Sequence, residues 1–236
     1  MMKSPLILLA VVATMFSLFS QKVVAEAPNT QVKVSLKLGK VEAIDTPTLS
    51  TGAAEKRFKP KKWAYIEAEM KVQAAPPPKT GYLDNMTVTF YATAKNPEGP
   101  RGYLLMKKEI RYVNIPVDEK VYVCAFMSPS SVKRLTKSDT VGPGSFERLG
   151  VEVSYNGKVV AMDSSSGKPG WWNSSSSMIV PTNSYPLLNK DETPFSIFWY
   201  DRYPEINDVK KQTSPSPSSS TSSSKGESDG DRPAVK

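Results

Sequence analysis

Val32-Lys33-Val34-Ser35-Leu36-Lys37-Leu38 alternates apolar and polar residues without a break, and that period of two belongs to a strand with one face on a core. The same texture recurs down the chain. Met86-Thr87-Val88-Thr89-Phe90-Tyr91-Ala92-Thr93-Ala94 is dense in β-branched and aromatic residues. Leu149–Tyr155 and Lys158–Met162 flank Asn156-Gly157, a dipeptide that accepts the positive φ of a two-residue hairpin turn. Further strands are expected at Trp63–Val72, at Tyr103–Ile115 in one or two pieces, at Lys120–Phe126 and at Thr193–Tyr200. Gly39 interrupts the first run, and a bulge there lets Val41–Ile44 continue it. Residues 163–190 read as loop-dominated. Ser128-Pro129-Ser130-Ser131-Val132-Lys133-Arg134-Leu135 carries a capping serine, proline at the first helical position and basic residues near its end, the grammar of one short helix. These elements predict an all-β, immunoglobulin-like β-sandwich of seven to nine strands with one short helix.

The two ends differ from the middle. Lys3, the apolar run Pro5–Ala13 and the small residues Val23 and Ala25 make residues 1–25 an export signal, cut at Ala25–Glu26. Thr14, Ser17 and Ser20 break the run before it reaches the length of a membrane span. The mature chain is therefore expected to be exported, periplasmic or at the cell surface and extracellular, with no integral membrane span once the signal is removed. Residues 30–208 carry the sandwich. Residues 209–236 are a Ser/Pro-rich tail with too little apolar surface to offset chain entropy, and disorder is expected there.

Composition closes several kinds of chemistry. The chain has no histidine and one cysteine, so histidine-dependent nucleophilic catalysis and ordinary zinc sites lack their residues. Cys124 sits in an apolar strand, where a thiol behaves as a small hydrophobe. Glu67 and Glu69 share a strand face, the minimal carboxylate pair of a glycosidase, but such pairs are ordinary solvent-facing residues of a sandwich. No enzyme activity, cofactor or metal is expected. The formal charge is +8, and removal of Lys3 and Lys22 with the signal lowers it by two. No nucleic-acid motif accompanies that charge, so no nucleic-acid partner is expected.

Two groups of residues are candidates for contact with a partner or a glycan. Trp171 and Trp172 lie in a Gly/Pro/Ser-rich stretch, where they either stack on a ligand or fold back to cap the sandwich. Lys56, Arg57, Lys59, Lys61 and Lys62 form the densest basic cluster, which is either a solvated loop or a patch for anionic ligands.

Taken in order, the export signal, Val32–Leu38, Trp63–Val72, Tyr122-Val123-Cys124-Ala125-Phe126, the helix from Ser128, the Val151–Met162 hairpin and Pro194-Phe195-Ser196-Ile197-Phe198 resemble a group of exported bacterial immunoglobulin-like proteins. That group is associated with type IV pilus-type loci of gut mucin-dwelling bacteria. The resemblance covers residues 30–205 and implies a non-enzymatic structural or interaction protein of the cell envelope, working in pilus-type assembly or adhesion with envelope protein partners. Exposed sheet edges would supply the route to assembly. A secreted carbohydrate-binding or adhesin module using exposed tryptophans is the alternative. The chain lacks the glycine–aromatic junction and long hydrophobic helix of an ordinary pilin.

Overall fold

Alternation becomes strand where it is expected. A computed structural model describes residues 30–48, 59–99, 102–174 and 176–207; the export signal, Lys56, Arg57 and the Ser/Pro-rich tail lie outside them. In β1 (Gln31–Asp45), Val32, Val34, Leu36 and Leu38 pack on the core, while Lys33, Ser35 and Lys37 face solvent. Its register against β2 (Lys62–Ala75) slips between Leu38 and Val41, which is the bulge expected at Gly39. A Cβ on Gly39 would stand 2.9 Å from the carbonyl oxygen of Glu67, so glycine is what lets the two backbones approach. β2 alternates more regularly than its sequence suggests. Ala64, Ile66, Ala68, Met70 and Val72 are buried toward the core, and Tyr65, Glu67 and Glu69 line the other face.

The two-residue β3 (Tyr82–Leu83) leads into β4 (Met86–Lys95), which pairs with β5 (Tyr103–Val113) along its whole length. The stretch after Tyr103 is thus one long strand. A short β6 (Ile115–Pro116) returns to β3, and β7 (Lys120–Met127) pairs with β2. β8 (Arg148–Tyr155) and β9 (Lys158–Ser164) form the hairpin, with Asn156 at φ 49° and Gly157 at φ 78°, the positive values that its turn requires. Three short strands follow: β10 (Ile179–Pro181), β11 (Leu187–Leu188) and β12 (Glu205–Ile206).

These strands make two main sheets, β1-β2-β7-β11 and β10-β5-β4-β8-β9 with β12 also on β5, and a separate two-stranded ribbon, β3-β6. The long strands β1-β2-β7 in one sheet and β5-β4-β8-β9 in the other stand in the order A-B-E and C′-C-F-G of an immunoglobulin sandwich. Among the described residues, seven long strands fall within the expected range and five of two or three residues supplement them. Ile66, Met70 and Val72 of one sheet meet Val88, Phe90, Met106, Ile110 and Val151 of the other in a single core. Each such side chain contributes about 1.5–3 kcal/mol on leaving water.

The helix α1 (Pro129–Thr136) forms as its sequence predicts. Ser128 caps it by accepting from Ser131 N, and Val132 and Leu135 face the core. The aromatic strand expected at Thr193–Tyr200 does not form. Local side chains claim its backbone instead. Asn189 and Glu192 cap each other reciprocally, Thr193 Oγ1 donates to Lys190 O at 2.7 Å and accepts from Phe195 N, and Pro194 has no N–H for a ladder. Turn bonds from Ser196 N to Thr193 O and from Phe198 N to Phe195 O then coil the segment. Residues 163–190 are loop-dominated as expected and also supply β10, β11 and a 3-10 turn at Trp171–Asn173.

Candidate interaction surface

The coiled segment from Asn189 to Pro204 lies as a strap over the outer face of the β1-β2-β7 sheet and runs on into β12, which pairs with β5. Phe195, buried, is its plug. Its ring stacks on Phe126 with centroids 4.9 Å apart and meets the Trp63 ring edge-on at 5.7 Å. Beside it, Glu67 accepts hydrogen bonds from Tyr65 OH, from Tyr203 OH at 2.8 Å, and from Arg202 Nε and Nη2 at 3.0 and 2.7 Å. The Arg202 guanidinium lies 3.6 Å from the centre of the Tyr122 ring. Burial alone would raise the Glu67 pKa, but the bonds from Arg202, Tyr65 and Tyr203 outweigh it and hold the carboxyl below its ordinary value. Lys190 is buried too, its Nζ donating to Ser196 O at 2.7 Å, and desolvation lowers its pKa. Burial also pushes the Cys124 thiol up, leaving an inert hydrophobe rather than a nucleophile.

What the strap presents outward is a crest. Ile197 is 59% exposed, Trp199 47% and Tyr200 74%. Trp199 sits at φ 54°, ψ 44° and stacks on the Phe195 plug at 5.7 Å. A left-handed conformation on a bulky residue costs about 1–3 kcal/mol and persists only where the surroundings impose it. The plug, the Glu67 clamp and the Lys190 bond impose it here. The crest is therefore rigid, aromatic and solvent-facing. Next to it, the strap end, the β3–β6 ribbon and the start of β7 enclose an open cleft of about 710 Å³ with Tyr82 and Tyr200 among its walls.

Trp171 and Trp172, by contrast, fold back. They are 6% and 8% exposed and lie on the outer face of the other sheet. Trp172 stacks on Tyr91 at 4.5 Å and donates from Nε1 to Glu152; Trp171 Nε1 donates to Ser164 Oγ at 3.0 Å. Gly150 makes the room, since a Cβ there would stand 2.3 Å from the Trp172 ring. Burial, with Glu152 nearby, pushes Tyr91 up to about 12. The exposed-tryptophan platform is thus overturned at these two positions. Of the basic cluster, Lys59 and Lys61 are exposed, and Lys62 is half-buried, opens β2 and pairs with Asp45 at 2.7 Å. These lysines and the two tryptophans stand on different sheets and do not converge. Glu67 and Glu69 do share a face of β2, but Arg202 holds the first and Lys120 the second.

The sheet margins are dressed rather than bare. β1 runs close to β9, and Asp163 accepts from Leu38 N at 2.7 Å. β5 is flanked at its two ends by β10 and β12, and Lys108, on its core-facing row, is drawn to Glu192 of the strap. Short partners and inward-pointing charge are ordinary guards against edge pairing. The strap, beside these margins, leaves Ile197, Trp199 and Tyr200 uncovered. Its signal in the sequence was the crowding of Phe195, Phe198, Trp199, Tyr200 and Tyr203 into nine residues, read there as a strand.

Two sheets in this strand order, antiparallel except where β10 runs parallel to β5, and capped by a strap, define an all-β sandwich of immunoglobulin-like type. A protein-family model matches residues 25–210, and the chain belongs to that family. A crystal structure of a protein from Akkermansia muciniphila is 48% identical to this chain and superposes with a TM-score of 0.72, the match covering 77% of this chain and 96% of that one. No curated protein matches.

Proposed function

We propose that this chain is an exported, non-enzymatic structural or interaction protein of the cell envelope, working in pilus-type assembly or adhesion, and that its partner docks on the crest formed by Ile197, Trp199 and Tyr200. The observation that carries the reading is the strained Trp199. A fold that holds a large aromatic ring half in water, at a backbone cost, has the arrangement of a binding anchor: rigid and paid in advance of contact. The export signal supports an envelope or surface location. The two β2 glutamates and the buried thiol, each engaged by the fold itself, support a binding rather than a catalytic role.

The test is capture from envelope extracts with the full mature chain, read by mass spectrometry, against the double variant Ile197→Ser, Trp199→Gly. Glycine accepts the left-handed conformation, so the strap keeps its path while the crest loses Ile197 and Trp199 and retains Tyr200. Capture of pilus-type or adhesion proteins by the parent and not by the variant is the expected result. Equal capture by both chains overturns the reading.

A further inference from the structure

The cleft beside the crest has a different chemistry from the crest itself. Its walls carry two tyrosine rings open to solvent, Tyr82 at 51% and Tyr200 at 74% exposure, one from the β3–β6 ribbon and one from the strap. Between them stand exposed polar groups, Asn114, Glu119, Asp201 and Glu205. The cations that line the same cleft are already committed: Lys120 reaches Glu69 at 3.1 Å, Arg202 is clamped on Glu67, and Lys190 is buried against Ser196 O. The positions are fixed by the fold. Tyr82 is paired in register with Pro116, Asp84 Oδ1 accepts from Asn114 N at 2.9 Å, and Asn114 Nδ2 donates to Glu205 at 3.0 Å.

We infer that this cleft binds a neutral glycan, one or two sugar rings at a time. A pyranose has an apolar face of C–H groups that lies well on a phenol ring, and a rim of hydroxyls that donate to carboxylate and amide oxygens. The two open tyrosines supply the first contact, and Glu119, Asp201 and Asn114 the second. Acidic glycans are disfavoured, because the walls offer carboxylates where a sulfate or uronate would need a free cation. An apolar peptide finds no deep hydrophobic pocket between these walls. The inference rests on the interaction-protein reading above and names a ligand class for the strap side of the molecule. It shares Tyr200 with the crest, whereas Ile197 and Trp199 do not line the cleft and Tyr82 belongs to the cleft alone.

Isothermal titration of the mature chain with cellobiose, lactose and N,N′-diacetylchitobiose, and with a heparin hexasaccharide as the anionic comparison, tests it. Saturable binding of at least one neutral disaccharide is expected, with affinity falling about tenfold in each of Tyr82→Ala and Tyr200→Ala, and heparin weaker than the best neutral sugar. Tyr82 lies outside the plug and the clamp, so its variant keeps the fold if the Tyr200 variant disturbs the strap. The crest variant Ile197→Ser, Trp199→Gly should bind sugar like the parent. No binding by any of the three neutral disaccharides, binding untouched by both tyrosine variants, or preference for heparin each overturns the glycan assignment. Crest-dependent capture of envelope proteins that survives such a failure leaves the interaction reading standing, whereas loss of that capture alone sinks the interaction reading.

Discussion

The two outer faces of this sandwich are finished in different ways. On the β1-β2-β7 side, the strap drops Phe195 onto Trp63 and Phe126 and locks itself through Glu67, so an aromatic layer and an ionic clamp cover the sheet together. On the β5-β4-β8-β9 side, the lid is two tryptophans at one end, over Gly150 and Tyr91. The rest of that face stays open as a shallow polar concavity of about 470 Å³ with Thr87, Lys107, Glu109, Arg111 and Glu152 in its walls. Both sheets obey the same period-two rule. What separates the faces is what the outward row contains: Tyr65 and Phe126 demand cover on one side, whereas Lys107, Glu109 and Arg111 on the other face water.

If the strap is a second small core, removing its plug should cost the most. Phe195→Ala is expected to lose about 3–5 kcal/mol in denaturant unfolding, as for a fully buried aromatic, and to free Trp199 into a red-shifted, more quenchable fluorescence. A loss under 1 kcal/mol would make the strap a mere surface loop and erase the contrast.

The clamp comes next. Glu67→Gln should cost about 1.5–3 kcal/mol at neutral pH, since it leaves Arg202 without its carboxylate and two tyrosine hydroxyls with a weaker acceptor. The folded-state pKa of Glu67 lies below its ordinary value of 4.5. Its stabilisation is therefore complete above that ordinary value and disappears as pH falls through the lowered one. An unfolding series below pH 4.5 should show a steeper acid limb in the parent than in Glu67→Gln. Parallel limbs would mean that Glu67 contributes nothing ionic.

On the opposite face, Gly150→Ala is expected to cost about 1–3 kcal/mol by overpacking against Trp172, with near-ultraviolet dichroism reporting the displaced indole. The smallest effect belongs to the open concavity. Arg111→Ala should shift stability by no more than about 0.5 kcal/mol, because its ion pair with Glu109 is exposed at 3.7 Å. A larger loss there would show that this face, too, is held by something other than water.

Much of the sandwich was legible from residue order. Val32–Leu38, Met86–Ala94, the Asn156-Gly157 hairpin and the Ser128-Pro129 helix start all depend on interactions within a few residues, and each formed where its pattern placed it. The strap was not legible, because aromatic density is the same in a strand and in a plug. Thr193, Asn189 and Glu192 decided between the two through local hydrogen bonds that matter only once β11 has set the entry point. The tryptophan pair was readable in two ways, and the space above Gly150, which chose between them, belongs to a neighbouring strand.

By itself, then, the amino-acid sequence determined an all-β chain with one short helix, the hairpin and its turn, and a composition with no histidine and one cysteine, since composition and short-range geometry need no partner. Only the tertiary structure decided which sheet face would be covered, that Trp171 and Trp172 turn inward, and that Trp199 turns outward against its own backbone preference. Alternation states that a strand has two faces. It does not state what will lie on them, because that depends on contacts between residues far apart in the chain, such as Glu67 and Arg202.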